Sequence, residues 1–190
     1  MSRARVILVG GGVRSGKSAF ALALARRLGQ RRTFVATAQA LDDEMRTRIA
    51  THAQERGSDF ETVEAPLELS AALRGVTATD VVVVDCLTLW LSNLLLRGDT
   101  QGDIEAAVEE LARVVDARRF HCVLVTNEVG MGVVPESALG RAFRDVTGRA
   151  HQRLSRVADE IYFAVLGTML RIRPEPVSVQ TLEAAYESTD

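Results

Sequence analysis

The segment VILVGGGVRSGKS, residues 6 to 18, restricts the folds open to this 190-residue chain more than any other. Its last eight residues, Gly11, Gly12, Val13, Arg14, Ser15, Gly16, Lys17 and Ser18, match the pattern G-x-x-x-x-G-K-[ST]. The pattern has meaning only where a strand enters it and a helix leaves it. Val6 to Val9 predict the strand, and the residues after Ser18 predict the helix. Glycines let the backbone wrap around phosphate oxygens, and the N–H groups at the helix start point at the anion. Lys17 would then reach the β and γ phosphates of a nucleoside triphosphate, and Ser18 would ligate Mg²⁺. Such a loop also needs an acid at the end of a neighbouring strand, and VVVVD ends in Asp85. Strand ends often carry Asp as a helix cap, so it is the loop that makes Asp85 the favoured metal partner. A switch GTPase should carry an N-K-x-D element, yet TNEVG, Thr126 to Gly130, lacks the lysine.

Short β-branched runs alternate with longer helical patterns along the rest of the chain. RVILVG, TFVATA, FETVEA, DVVVVD, CVLVTN, IYFAVLG and MLRIRP each predict a strand, about seven in all. Strands alternating with helices imply an α/β fold with a mostly parallel sheet covered on both faces. The unbroken apolar character of VVVVD and CVLVTN marks them as central strands. In residues 136 to 158, Leu139, Phe143, Val146, Ala150, Leu154 and Val157 recur at helical spacing and form a core-facing stripe. Pro135 and Glu136 suit the start of that helix. The expected organisation is one domain over residues 1 to 173 and a loosely held tail over 174 to 190, where prolines break the pattern.

Composition narrows the function classes. Lys plus Arg is 23 against 25 for Asp plus Glu, so a net charge of −2 provides no basic field for nucleic acid or a membrane surface. Small anions must be held locally. No window approaches the ~18 uninterrupted apolar residues of a membrane span. The N-terminal apolar run is too short for a secretory signal, so a cytoplasmic protein is expected. Cys86 and Cys122 lie in or beside apolar runs and are expected to be buried reduced thiols.

One charged helix is predicted from DDEMRTRIATHAQERG, residues 42 to 57, where Asp42, Asp43 and Glu44 suit the helix N-terminus. Met45, Ile49 and His52 fall on one side of it. From spacing alone such a histidine is usually structural. Beside a phosphate-binding loop it gains a second reading, because a neutral imidazole can attack phosphorus and split one transfer into two. His121 precedes a buried strand, and His151 lies on the long amphipathic helix.

The blocks GGVRSGKS, VATAQALDDEMRTRIATHAQERG, VVVVDCLTLWLSNLL, VTNEVGMGVVPE and GRAFRDVTGRAHQRLSRVADEIYF together resemble, in order, the bifunctional adenosylcobinamide kinase / adenosylcobinamide-phosphate guanylyltransferase family. The resemblance covers about residues 5 to 173. It implies a RecA-like P-loop fold, a homotrimer, and two reactions. Adenosylcobinamide is phosphorylated by ATP or GTP, and GMP then passes from GTP to that phosphate, giving adenosylcobinamide-GDP and pyrophosphate. The resemblance makes His52 the residue that carries the guanylyl group. It places Gly11 to Ser18 on the triphosphate and Ala36, Thr37 and Ala38 along the nucleotide site. Ala53, Gln54, Glu55, Arg56, Glu64 and Asp85 complete the nucleotide contacts, with Mg²⁺ at Ser18 and Asp85. Thr37 also reads as a strand-end residue and Glu64 as a solvated acid. His151 departs from the family pattern, which has Asn there. Trp90, Leu91 and Leu94 to Leu96 are corrinoid-binding candidates by position, though core or subunit contacts suit them better. The alternatives are a P-loop kinase of another small molecule with a structural His52, and a nucleotide-binding regulatory module.

Overall fold

A run of valines with no polar residue to turn outward must be covered on both sides, and Val81, Val82, Val83 and Val84 have no exposed surface. The computed structural model describes residues 3–40, 42–174 and 178–181. The strands are β1 (Val6–Gly11), β2 (Arg32–Ala36), β3 (Glu61–Glu64), β4 (Val81–Asp85), β5 (His121–Val125), β6 (Glu160–Val165), β7 (Thr168–Arg173) and β8 (Ser178–Thr181). They form one sheet in the order β3-β2-β4-β5-β1-β6-β7-β8. The pairs from β3 through β6 are all parallel, while β6–β7 and β7–β8 are antiparallel. All seven expected strands form. An eighth comes from Ser178–Thr181, within the segment expected to be a tail; the remaining tail residues lie outside the described ones.

The helices are α1 (Lys17–Leu28), α2 (Asp43–Arg56), α3 (Leu69–Gly75), α4 (Leu87–Arg97), α5 (Gln101–Asp116) and α6 (Ala138–Ser155). Strand alternation divides the core. Val6, Leu8, Val82, Val84 and Leu124 face one way and pack with Leu73 of α3, Leu91 of α4, Leu111 of α5 and Leu154 of α6. Ile7, Val9, Val83 and Val125 face the other way, against Phe20, Ala21 and Ala25 of α1. None of the described side chains of α2 is buried, so this helix lies outside both cores. No helix among the described residues is long and apolar enough to cross a membrane.

The long amphipathic helix starts two residues later than Glu136. Ser137 is its N-cap, with Oγ accepting from Gly140 N at 3.1 Å. Val146, Ala150 and Leu154 are buried as expected, and Phe143 and Val157 pack at the margin. Leu139, however, is 52% exposed: the first turn of α6 projects beyond the core, and the apolar stripe loses its cover there. Cys86 and Cys122 are buried and unpaired, and burial pushes their thiols up to about 11 and about 12.

Candidate active site at the carboxyl edge of the sheet

Parallel sheets place their ligands at the carboxyl ends of the strands, where the loops gather. In this sheet Glu64, Ala36, Asp85, Val125 and Val9 stand in one register across β3, β2, β4, β5 and β1. The phosphate loop follows two residues after Val9. At ~4.8 Å per strand, Asp85 stands about 10 Å from the β1 axis, and Glu64 about 19 Å.

The loop is shaped by what its glycines permit. Gly11 has φ 152°, and a Cβ there would lie 2.8 Å from both Cβ and the carbonyl oxygen of Ala164. Gly16, at φ 87°, turns the chain into α1, whose first turn carries no acid to compete with a bound anion. Gly12, Val13 and Arg14 are exposed, and Arg14 adopts φ 55°. Lys17 is buried, and its Nζ donates to the carbonyl of Gly12 at 2.9 Å. Ser15 Oγ is buried without a hydrogen-bond partner, and Ser18, next to Lys17 on α1, is half-buried.

Asp85 is held through its neighbour. The buried Thr37 hydroxyl donates to Cys86 O at 2.8 Å and accepts from Cys86 N at 2.7 Å. Asn93 Nδ2 then donates to Thr37 O at 2.8 Å and to Pro66 O at 2.9 Å. Thr37 thus fixes the β2 and β4 ends against each other, and its side chain is turned inward rather than toward a ligand. Ala36 and Ala38 beside it are half-buried, and Glu64 is exposed at the end of β3. Thr37→Val keeps the shape and leaves the Cys86 amide and carbonyl without their partner. It is expected to cost about 2 kcal/mol and lower the melting temperature by roughly 4–8 °C in calorimetry.

Helix α2 begins with Asp42 capping Met45 N at 2.7 Å. At its far end the Arg56 carbonyl accepts from Arg26 Nη2 of α1 at 3.0 Å, and the Arg56 guanidinium lies 4.2 Å from the Phe34 ring centre. Burial pulls the Arg56 pKa below its ordinary range, and the Asp85 carboxylate opposes that shift. Arg56 is therefore within electrostatic reach of Asp85. His52, half-buried with Met45 and Ile49, sits one helical turn before Arg56 on the same side. Ala53 and Gln54 are exposed, and the Glu55 side chain lies outside the described residues. Trp90, Leu91 and Leu94 are core residues, with Trp90 Nε1 donating to Leu67 O at 2.8 Å, so they offer no open surface to a ligand. Leu96 is exposed.

A further group of residues surrounds the loop after β5. Glu128 N donates to Gly11 O at 3.0 Å, and Glu128 Oε1 accepts from Gly130 N at 2.6 Å. Gly130 O accepts from Arg144 Nη2 of α6 at 2.7 Å. His151, also on α6, places Nε2 2.7 Å from Thr126 Oγ1 and Nδ1 3.6 Å from Glu128 Oε2. Burial lowers the His151 pKa against the pull of Glu128. Asn127 Nδ2 donates to Thr88 Oγ1 at 2.8 Å. Apart from the Glu128–Gly130 turn, these partnerships join residues from 14 to 117 positions apart, so spacing does not reveal them. The available signal was Thr126, Asn127 and Glu128, three polar residues following the apolar run Cys122 to Val125.

Comparison with known proteins agrees with this geometry. The structure is similar to the RadB recombinase, with TM-score 0.52 and 15% identity over 94% of this chain and 87% of that one. It is also similar to an ATPase from the type III secretion system of pathogenic bacteria, with TM-score 0.51 and 12% identity over 87% of this chain and 52% of that one. Both likenesses concern the RecA-like fold alone. In sequence, the chain is 42% identical over 174 residues to the bifunctional adenosylcobalamin biosynthesis protein CobP of Pseudomonas aeruginosa, covering 90% of this chain and 98% of the relative. It is 40% identical over 181 residues to the bifunctional adenosylcobalamin biosynthesis protein CobU of Escherichia coli, covering 88% and 99%. The model of one family matches residues 7–172. The chain therefore belongs to the CobU family, cobinamide kinase / cobinamide phosphate guanyltransferase.

Proposed function

We propose that this protein phosphorylates adenosylcobinamide with ATP or GTP and then moves GMP from GTP to the resulting phosphate through His52. The observation that supports this reading is the tie between α2 and the helix that leaves the phosphate loop: Arg26 Nη2 of α1 donates to Arg56 O at 3.0 Å, one helical turn after His52. In the guanylyl step the His52 imidazole attacks the α phosphorus of GTP, and the α–β bond breaks with its electron pair on the departing pyrophosphate. Lys17 and the loop amides hold that leaving group. The phosphate oxygen of the corrinoid then attacks the guanylyl-histidine, forming the diphosphate and restoring the imidazole. Gln54 and Arg56 contribute contacts to the guanine nucleotide, together with the backbone of Ala53 and Glu55. Ala36, Ala38 and Glu64 border the same site.

Mg²⁺ fits the residues present. An ion carried largely by phosphates and water needs only a hydroxyl and one carboxylate, which the first turn of α1 and the end of β4 supply. Ser18 and Asp85 would hold it, and bound there it would neutralise phosphate charge.

Trp90, Leu91 and Leu94 being core, the corrinoid needs another apolar surface, and the exposed Met131, Val133 and Val134 lie close after Glu128. Assembly as a homotrimer and residence in the cytoplasm belong to the same proposal. Incubation with α-labelled GTP and Mg²⁺ tests the central claim. The protein should take up label that is lost in acid and kept in alkali, as a phosphoramidate requires. No stable label would favour a kinase in which His52 is structural.

A further inference from the structure

We propose that Glu128 is the general base of the phosphoryl-transfer step, the carboxylate that receives the proton of the acceptor hydroxyl. The inference rests on the kinase reading given above. Its placement comes from the sheet. β5 lies between β4, which ends in Asp85, and β1, which enters the phosphate loop. Val125 is in register with both Asp85 and Val9, and Glu128 follows it by three residues. The 3.0 Å bond from Glu128 N to Gly11 O anchors it to the first residue of the loop. The neighbouring carbonyl, Gly12 O, is the one that meets Lys17 Nζ at 2.9 Å. Lys17 is the residue that serves the terminal phosphates in such loops, so Glu128 stands at the γ end.

Competing carboxylates are placed for other work. Glu64 is exposed and about 19 Å across the sheet from β1. Asp85 is the carboxylate suited to the metal. Glu128 is half-buried, with Oε1 fixed by Gly130 N at 2.6 Å and Gly130 O fixed by Arg144 at 2.7 Å. Oε2 lies 3.6 Å from His151 Nδ1, beyond a hydrogen bond, while His151 itself is held by Thr126 at 2.7 Å. One oxygen is therefore locked for orientation. The other oxygen has no hydrogen bond to the His151 ring, which leaves it able to accept from an acceptor hydroxyl.

The step balances as a displacement. The acceptor O–H bond breaks and its proton passes to Glu128. The hydroxyl oxygen forms a bond to the γ phosphorus, and the bond from that phosphorus to the β–γ bridging oxygen breaks. Its electron pair leaves with the nucleoside diphosphate. Glu128 then returns the proton to water. An alcohol needs such a base, whereas the corrinoid phosphate that accepts GMP is already ionised. The requirement for Glu128 is thus confined to one of the two reactions.

The test compares wild type, Glu128→Gln and Glu128→Asp, each supplied either with ATP and adenosylcobinamide or with GTP and adenosylcobinamide phosphate. Wild type should carry out both reactions. Glu128→Gln should lower kcat for phosphorylation by about 100-fold or more, with KM for ATP within about threefold. GMP transfer to the supplied phosphate should fall by less than about tenfold, and Glu128→Asp should recover part of the kinase rate. An unaltered kinase rate in Glu128→Gln overturns the assignment. Equal losses in both reactions, or a loss carried by KM for ATP, also overturn it, because they mark a structural role for the loop. A wild-type protein that phosphorylates no corrinoid sinks the kinase reading itself, and the base with it.

Discussion

His52→Ala should abolish labelling of the protein by α-labelled GTP and reduce GMP transfer by about 10⁴-fold or more, while phosphorylation of adenosylcobinamide falls by less than about tenfold. A factor of 10⁴ corresponds to about 5.4 kcal/mol of barrier, a size expected when a covalent nucleophile is removed rather than a binding contact. The selectivity follows from the chemistry: phosphoryl transfer to an alcohol needs alignment and charge stabilisation, with no intermediate on the protein. It also follows from the fold. α2 lies outside both cores, and among its described side chains none is buried. Its N-cap at Asp42 is remote from the substitution. Losing one half-buried imidazole should leave stability within about 1 kcal/mol. Label retained on the variant would place the nucleophile elsewhere, and parallel loss of both activities would mean that His52 shapes the site.

The sequence announces some of this architecture because the same residues carry local and global signals. VVVVD reads as a central strand since its four valines offer nothing to water, and Val81–Val84 prove wholly buried. The phosphate loop is legible because its glycines answer a local backbone need, seen at Gly11, where a Cβ would strike Ala164. Residues whose meaning depends on a distant partner are less legible. Ser178–Thr181 has little apolar character, and β7 makes it a strand by offering an unpaired edge. Leu139 fits the helical period of α6, yet the core ends before it. Thr37 has the right address for a ligand contact, but Cys86 engages its hydroxyl from the neighbouring strand. Glu128 and His151 meet only once α6 has packed against α4 and α5 on one face of the sheet.

Lys17→Ala should weaken both reactions together, by about 10³-fold in kcat/KM for each, when the two activities are assayed separately on the purified variant. Lys17 is buried at the foot of the loop with Nζ 2.9 Å from Gly12 O, so its ammonium acts in a site partly shielded from water, where one donor is worth more than at an open surface. Removing a single preorganised donor from such a site typically costs 10²–10³-fold. Here the donor carries a full charge, which places the expected loss at the upper end. The leaving group is a nucleoside diphosphate in the kinase step and pyrophosphate in the guanylyl step. In both, negative charge grows on phosphates that one loop holds. If the two reactions share that loop, their losses should agree within about tenfold, and neither should be restored by raising nucleotide alone, because the charge is needed in the transition state. Loss of one activity with the other intact would show two separate nucleotide sites, and the single row of strand ends from Glu64 to Val9 would then serve only one of them.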